Sequence, residues 1–463
     1  MPTPLPGSCD KPRLTAFNLL RKIELSHGFA DEALERAFLA DPELCPLDRA
    51  FIHELVMGVL RWRGRLDWII CQVLKSPGKK PDPRVQDILR LGVYQIYQLD
   101  RVPASAAVNE SVRLAKAILG QEKIAGFVNA ALRSILRRKE EVVFPSFDKD
   151  PLEHLTSFLS HPRWLASRWL KEFGAAAAPV CLADNFPPPW TLRVNTLKTT
   201  RESLSADLKH LGILCRSTSF SPDGLVAEKN PLAEGGDLFL KGLFFLQDEA
   251  SQIVGYVLQP RPGERILDAC AAPGGKATHL AQLMKNRGEV LAIDLQEKKV
   301  RLIEENAARL GLSAVKGLAM DAARPLPFDP SSRFDRALVD APCTGLGTLH
   351  RNPEAKWSRK EGDPRRMQAL QLSLLRNVST HLKPGGVLVY STCTLTEEEN
   401  DQVVERFLEE NPGFAKDDLH SIFPPAWHGL LDGKGFYRTY PEAMIREGGY
   451  RMDGFFAARL RKK

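Results

Sequence analysis

With 463 residues, 43% hydrophobic and 26% charged, the chain has the make-up of a soluble protein of two or three domains. It holds no apolar run of about eighteen residues, and residues 1–7 lack the basic start and apolar stretch of a secretory leader, so a cytoplasmic protein without a membrane span is expected. Its eight cysteines form no C-x-x-C pair and do not cluster with histidine, which argues against disulfides and zinc. The net charge of +7 is uneven: residues 51–140 carry 16 Lys plus Arg against 8 Asp plus Glu, and the rest of the chain is close to neutral. Such a block is either a phosphate-binding surface or the solvated faces of amphipathic helices.

In chain order, residues 11–140 read as helices. Apolar residues recur at three- and four-residue spacing in Phe51-Ile52-His53-Glu54-Leu55-Val56 and again in Ile88-Leu89-Arg90-Leu91-Gly92-Val93. Breaks fall at Ser76-Pro77-Gly78, Pro81-Asp82-Pro83 and Val102-Pro103. Residues 1–145 are therefore predicted to be an all-α domain. Residues 146–238 read as a small mixed α/β subdomain, with a helix opened by His161-Pro162-Arg163-Trp164 and a strand and turn from Trp190 to Lys198. There His161 is expected to cap and Trp164 to anchor a core, while Arg193, Asn195 and Lys198 form a polar cluster. From residue 239 to 463 the pattern becomes strand, turn, helix, repeated. Strands are predicted at 265–268, 289–294, 334–340 and 386–390, with helices at 276–285, 297–310 and 365–382. That alternation implies a doubly wound, mostly parallel sheet with helices on both faces.

The turn after the first of these strands is Cys270-Ala271-Ala272-Pro273-Gly274-Gly275-Lys276. Its glycines allow close approach of a ligand and expose helix N-terminal amides. It matches neither G-x-G-x-x-G nor G-x-x-x-x-G-K-[ST], which makes dinucleotides and ATP poor candidates. Asp294 ends the second strand, the usual place for a carboxylate that grips ribose, and Asp321 follows the third strand-like stretch, where a side chain can reach an adenine amine. The same features fit a tight βα turn with solvent-facing acids.

Two further strand ends carry thiols, Cys343 in Asp340-Ala341-Pro342-Cys343 and Cys393 in Ser391-Thr392-Cys393. A lone buried cysteine is often an inert small hydrophobe. Two thiols and a carboxylate at the ligand-binding edge of an α/β sheet suggest catalysis instead. Cys9, Cys45, Cys71, Cys181 and Cys215 lack such surroundings and are expected to be structural.

Together Asp268 to Lys276, Asp340-Ala341-Pro342-Cys343 and Tyr390-Ser391-Thr392-Cys393 resemble the RNA cytosine-C5 methyltransferases. Arg351-Asn352-Pro353-Glu354-Ala355-Lys356-Trp357 and Met452-Asp453-Gly454-Phe455-Phe456 are also similar to segments of that family. The helical N-terminal part resembles the NusB antitermination factor, and its fusion to such a catalytic half marks the Sun/Fmu-type enzymes. Thr344, where family members often carry serine, and Leu346-Gly347 are small departures that touch only loop geometry.

The resemblance implies a Rossmann-like catalytic domain using S-adenosylmethionine to methylate 16S ribosomal RNA, as naked RNA or in an early small-subunit particle, with nothing that demands more than a monomer. It implies that Cys270, Ala271, Ala272, Pro273, Gly274, Gly275 and Lys276 line the methionine side of the cofactor pocket. Asp294 would bind ribose, Asp321 would lie near adenine, and Asp340 would border cofactor and base. Cys393 corresponds to the nucleophile and Cys343 to the cysteine that assists product release. Chemistry alone leaves the attacking thiol open, since DNA cytosine-C5 methyltransferases use the cysteine of a Pro-Cys motif. Attack of a thiolate on carbon 6 turns carbon 5 into an enamine-like carbon that can accept a methyl group. Asp340 would share a proton near N3, and Lys276 would orient Asp340 or favour the Cys393 thiolate. Because the base must leave its stack, Arg193, Asn195 and Lys198 are candidates to line an RNA groove, and the basic N-terminal part would hold flanking phosphates. The alternatives are the same chemistry on tRNA or another RNA, and a non-catalytic RNA-binding assembly factor.

Overall fold

The computed structural model describes residues 10–26, 28–74, 81–329, 333–441 and 451–463. The readings made on residues 1–7, on Cys9 and on Ser76-Pro77-Gly78 lie outside the described residues. The chain divides into two compact units, Met1–Pro187 with Leu349–Glu361, and Pro188–Thr348 with Gly362–Lys463. Among the described residues no helix is long and apolar enough to cross a membrane, and no group of three or more His, Cys, Asp and Glu could hold a metal ion.

The first unit includes the helices α1 (Lys11–Ser26), α2 (Ala30–Ala40), α3 (Pro46–Leu74), α4 (Pro83–Gln98), α5 (Ala104–Leu119) and α6 (Glu122–Arg137), followed by helices over Arg163–Phe173 and Ala177–Ala183. Asp82 caps α4 by accepting the Arg84 amide at 2.8 Å, with Pro83 at the first helical position, where its missing N–H costs nothing. Gly120 ends α5 at φ 64°, a left-handed conformation that glycine adopts without strain. The apolar stripes of the helices close on one core running from Ala16 and Phe17 through Ile52, Leu55, Ile88 and Val93 to Leu132 and Ile135.

Much of the charge that distinguishes this region in the sequence is used inside it. Arg90 pairs with Asp67 at 2.7 Å and Asp87 at 2.8 Å, and Arg63 with Glu24 at 2.8 Å. Arg65 lies over the rings of Trp62, Phe144 and Phe158. The exposed cations of α5 and α6 are Arg113, Lys116, Lys123, Arg133 and Arg137. His161 does not cap a helix. It is buried, with Nε2 3.1 Å from Asp184 and Nδ1 2.7 Å from the Leu159 carbonyl, while Trp164 is half-buried.

The segment Leu349–Glu361, which follows the Cys343 loop in sequence, belongs to this helical unit. Trp357 Nε1 donates to the Leu60 carbonyl at 2.6 Å, and Arg61 donates to the His350 carbonyl at 3.0 Å. Lys356 is fully buried and donates to Asn185 Oδ1 at 2.6 Å. Burial lowers its pKa to about 8.

The second unit holds two sheets. The smaller is antiparallel, β1 (Trp190–Val194), β2 (Cys215–Ser217), β3 (Gly224–Ala227) and β4 (Phe244–Leu246), in the order β2-β3-β1-β4. The larger contains β5 (Arg265–Ala269), β6 (Glu289–Asp294), β7 (Val315–Ala319), β8 (Phe334–Asp340), β9 (Leu382–Thr392), β10 (Phe414–Lys416), β11 (Tyr437–Thr439) and β12 (Phe455–Lys462). Its order is β10-β12-β9-β8-β5-β6-β7, with β11 paired to β12. Strands β5 to β9 run parallel, and β12 joins β9 antiparallel. The chain reverses its direction across the sheet between β5 and β8, and a crevice for ligands opens at the carboxyl ends of strands at such a point.

Arg193, Asn195 and Lys198 do not line a groove. Arg193 is 1% exposed and donates to Gln247, to the Gly275 carbonyl and, at 2.9 Å, to Thr278 Oγ1. Asn195 donates to the Gly242 and Leu310 carbonyls, both at 2.9 Å, and Lys198 to those of Lys241 and Arg309 at 2.8 and 3.0 Å. The cluster ties the small sheet to the large one, because each polar end meets a carbonyl or side chain that needs a donor.

Candidate active site

The turn after β5 is shaped by its backbone. Gly274 sits at φ 98°, and a Cβ there would stand 3.1 Å from the Ile303 Cα, so the tight turn onto helix Gly275–Leu283 needs glycine. Cys270 itself is held at φ 62°. The Ala272 amide donates to Asp294 Oδ2 at 3.3 Å, so the carboxylate ending β6 lies against this loop. On the other side Arg193 grips the Gly275 carbonyl, so a side chain of the small sheet steadies the cofactor loop.

Asp268, the residue two before the loop, is fully buried, and neither carboxylate oxygen has a protein partner. Burial, reinforced by the nearby charge of Asp340, raises its pKa well above the carboxylate range. An orphaned acid beneath a glycine turn is the kind of group that a bound molecule's donors satisfy. With Asp294 it makes a set of acceptors suited to the amine and ribose hydroxyls of S-adenosylmethionine. Asp321 lies beyond the end of β7, accepting the Ala323 amide at 2.9 Å and pairing with Arg324 at 3.2 Å, and the amide of the preceding Met320 donates to the Asp294 carbonyl at 2.8 Å.

Beside this loop the structure gathers Asp340, Ser391, Phe455, Cys343 and Cys393. Asp340 ends β8 directly across from Ser391 on β9. Its Oδ1 accepts from Ser391 Oγ at 2.8 Å and its Oδ2 from Lys276 Nζ at 2.7 Å. The Lys276 ammonium also lies 4.9 Å from the centre of the Phe455 ring. Just past the same two strand ends, Cys343 Sγ is 3.4 Å from Cys393 Sγ, and both are half-buried. The hydrogen bond to Cys393 first, and burial second, raise the Cys343 pKa well above the ordinary thiol value. Either sulfur can donate to the other across this contact.

Several residues that complete this edge carry weak sequence signals. Gly347 and Gly454 touch: a Cβ on Gly347 would fall 2.1 Å from the Gly454 carbonyl oxygen and 3.0 Å from that of Cys393. Gly347 N donates to the Cys393 carbonyl at 3.0 Å, and Gly454 N to the Gly347 carbonyl at 2.8 Å. The C-terminal Met452-Asp453-Gly454-Phe455 segment thus closes over the thiol loops. Glu399 and Asn400, buried next to Thr394 and Thr396, were also missed. The pattern Thr396-x-x-Glu399 looks like an ordinary helix-capping box, which conceals it. Among the remaining cysteines Cys181 is buried and Cys215 half-buried, but Cys45 and Cys71 are exposed, so a packing role does not hold for those two.

A family model described as 16S rRNA methyltransferase RsmB/F matches residues 255–461, one for the NusB family matches 10–137, and an RsmF/B-like ferredoxin-like domain matches 161–232. The chain is 38% identical over 453 residues to the probable ribosomal RNA small subunit methyltransferase B of Bacillus subtilis, covering 97% of this chain and 98% of that one. It is 35% identical to the ribosomal RNA small subunit methyltransferase B of Pseudomonas putida, over 90% of this chain and 91% of the relative. Among solved structures, that of PH0851 superposes with a TM-score of 0.77 at 27% identity, covering 98% of this chain and all of the other. A methyltransferase homologue from Pyrococcus horikoshii gives 0.56 at 31% identity, over 67% of this chain and 98% of its own.

Proposed function

Since the chain belongs to the 16S rRNA methyltransferase RsmB/F family, which uses S-adenosylmethionine, we propose that it methylates carbon 5 of a cytosine in 16S ribosomal RNA through a covalent bond between Cys393 and carbon 6. The observation that carries this reading is the thiol pair, 3.4 Å apart, beside a carboxylate held by Lys276 at 2.7 Å.

The cofactor supplies an electrophilic sulfonium methyl group. The residues to hold it are the Cys270 to Lys276 turn, Asp268 and Asp294, with Asp321 toward the adenine end. Cys393 attacks carbon 6 as a thiolate; the C6–S bond forms, and the ring's π electrons move toward N3. Asp340 shares a proton with N3 as that charge develops and takes it back when carbon 5 accepts the methyl group, while Lys276 orients it through its Oδ2. Ser391 fixes the other oxygen, so the carboxylate cannot rotate away. Once carbon 5 has taken the methyl group, its proton passes to water and the C6–S bond breaks. The electron pair returns to Cys393, where the S–H of Cys343 stands ready to hydrogen-bond it. Cys343 thereby makes Cys393 a better leaving group.

In this reading residues 239–463 carry the chemistry, Arg193 of the 146–238 subdomain steadies the cofactor loop, and 1–145 hold RNA phosphates with an affinity that falls steeply with salt. The enzyme works as a cytoplasmic monomer on naked 16S RNA or an early particle. Methyl transfer from tritiated S-adenosylmethionine to unmodified 16S RNA, 23S RNA, small-subunit particles and bulk tRNA tests the whole reading. Label is expected as 5-methylcytidine in 16S RNA or its particle. Label in tRNA overturns the substrate, label on another nucleoside overturns the chemistry, and none in any sample favours a non-catalytic assembly role.

A further inference from the structure

Glu399 is fully buried and takes hydrogen bonds from both thiol loops. From the Cys343 side it accepts the Thr344 amide at 2.8 Å and Thr344 Oγ1 at 2.5 Å. From the Cys393 side it accepts Thr394 Oγ1 at 3.3 Å and Thr396 Oγ1 at 2.8 Å. Gln371, which also donates to the Pro342 carbonyl at 3.0 Å, adds a bond to Glu399 at 3.2 Å. Asn400 completes the bracket, accepting Thr392 Oγ1 at 2.5 Å and donating to the Thr394 carbonyl at 3.0 Å, one residue on either side of Cys393.

We propose that Glu399 is a positioning residue that sets the separation of Cys343 and Cys393 by gripping the loop after each. The inference deepens the reading above, in which Cys393 attacks and Cys343 assists its release within one turnover. A carboxylate suits this place because it is acceptor-only and offers about four lone-pair sites to donors that converge from two strands. Its Oε1 faces two N–H donors and its Oε2 faces three hydroxyls. A glutamine can keep its carbonyl on the N–H groups and turn its NH2 to hydroxyls, which can reverse to accept. Alanine leaves the donors unmet, and the loops lose their common anchor.

The test uses Glu399→Ala and Glu399→Gln in the full chain, with two independent readouts. Phenylarsine oxide bridges two neighbouring thiols with loss of water, and peptide mapping reports the Cys343–Cys393 bridge without any RNA. In Glu399→Ala the bridging rate is expected to fall at least about tenfold and kcat about 10²-fold, with S-adenosylmethionine affinity unchanged. Denaturant-stable protein–RNA adduct should accumulate, because release needs Cys343 in place. Glu399→Gln should recover most of both rates. Bridging at the wild-type rate in Glu399→Ala overturns the proposal, and so does cofactor affinity lost in proportion to kcat, which marks a general collapse. Should the wild-type enzyme methylate no cytosine while bridging still depends on Glu399, the proposed function fails and the clamp stands.

Discussion

In the helical unit, Arg90 and Lys356 end on carboxylates, an amide oxygen or a carbonyl of the same unit, and Lys356 has no solvent-exposed surface. At the edge of the large sheet, Lys276 and Asp340 keep 12% and 28% of their side chains exposed, and both thiols are half-buried. Both regions hold charge away from bulk water. In the first the polar groups are consumed by one another, which fixes packing. In the second Asp340 is held at both oxygens and Lys276 by one of them, which aims each while part of its surface stays exposed. Whether a paired charge is architecture or chemistry thus depends on its open side.

Removing the proposed nucleophile should break that contrast hardest. Cys393→Ala is expected to lower methyl transfer at least about 10⁴-fold while calorimetry still finds S-adenosylmethionine bound. Turnover near the wild-type rate would give the attacking role to Cys343. Cys343→Ala should instead retain the first bond and stall the second, leaving a protein–RNA band that survives denaturing electrophoresis. If no such band forms during turnover, Cys343 has no part in release.

On the other side of the comparison, Lys356→Met should cost about 3 kcal/mol of stability in denaturant melts, because it leaves Asn185 and its neighbours buried without their cation. Cofactor affinity should not move. A loss below about 0.5 kcal/mol would mean that the buried lysine is not structural in the sense argued here.

The smallest effect is a pH dependence. Burial pushes the Glu354 carboxyl up to about 7 from 4.5. Below about pH 4.5 the group is protonated whether the chain is folded or not, and its contribution to stability is fully present. Between there and pH 7 the unfolded chain gives up the proton first, so that contribution is lost as pH rises through about 7. Glu354→Gln should flatten the stability profile over this window by on the order of 2 kcal/mol, read as the difference in melts at pH 5 and pH 7.5. An unchanged slope would show that Glu354 titrates as an exposed acid does.

The catalytic sheet was legible from sequence because period and punctuation agreed. Glu297–Leu310 is a helix over the predicted residues, burying one stripe through Val300, Ile303, Ala307 and Leu310, and Phe334–Asp340 is a strand buried on both faces, Leu338 in one core and Ala337 and Val339 in another. Arg193 was misread because alternation along β1 shows which residues share a face and not what covers it. The charge block overstated the exposed cations, because the partners of Arg63 and Arg90 lie on other helices. Glu399 was hidden by distance: the donor after Cys343 that defines it lies 55 residues earlier. Periodicity reports that a residue is buried. It cannot report which remote donor it is buried with.

The Leu349–Glu361 segment has a consequence for the order in which a nascent chain becomes complete. Domains tend to fold as they leave the ribosome, and the apolar core from Ala16 to Ile135 can close early. The Leu60 and Arg61 carbonyls and the Asn185 side chain then wait for Trp357 and Lys356. At about 5–20 residues per second that wait lasts roughly ten to thirty seconds, while most of the other unit is being made. The helical unit begins first and is finished only after translation has passed the Cys343 codon, so an enzyme that acts on ribosomal RNA completes its own first domain late in its passage through a ribosome.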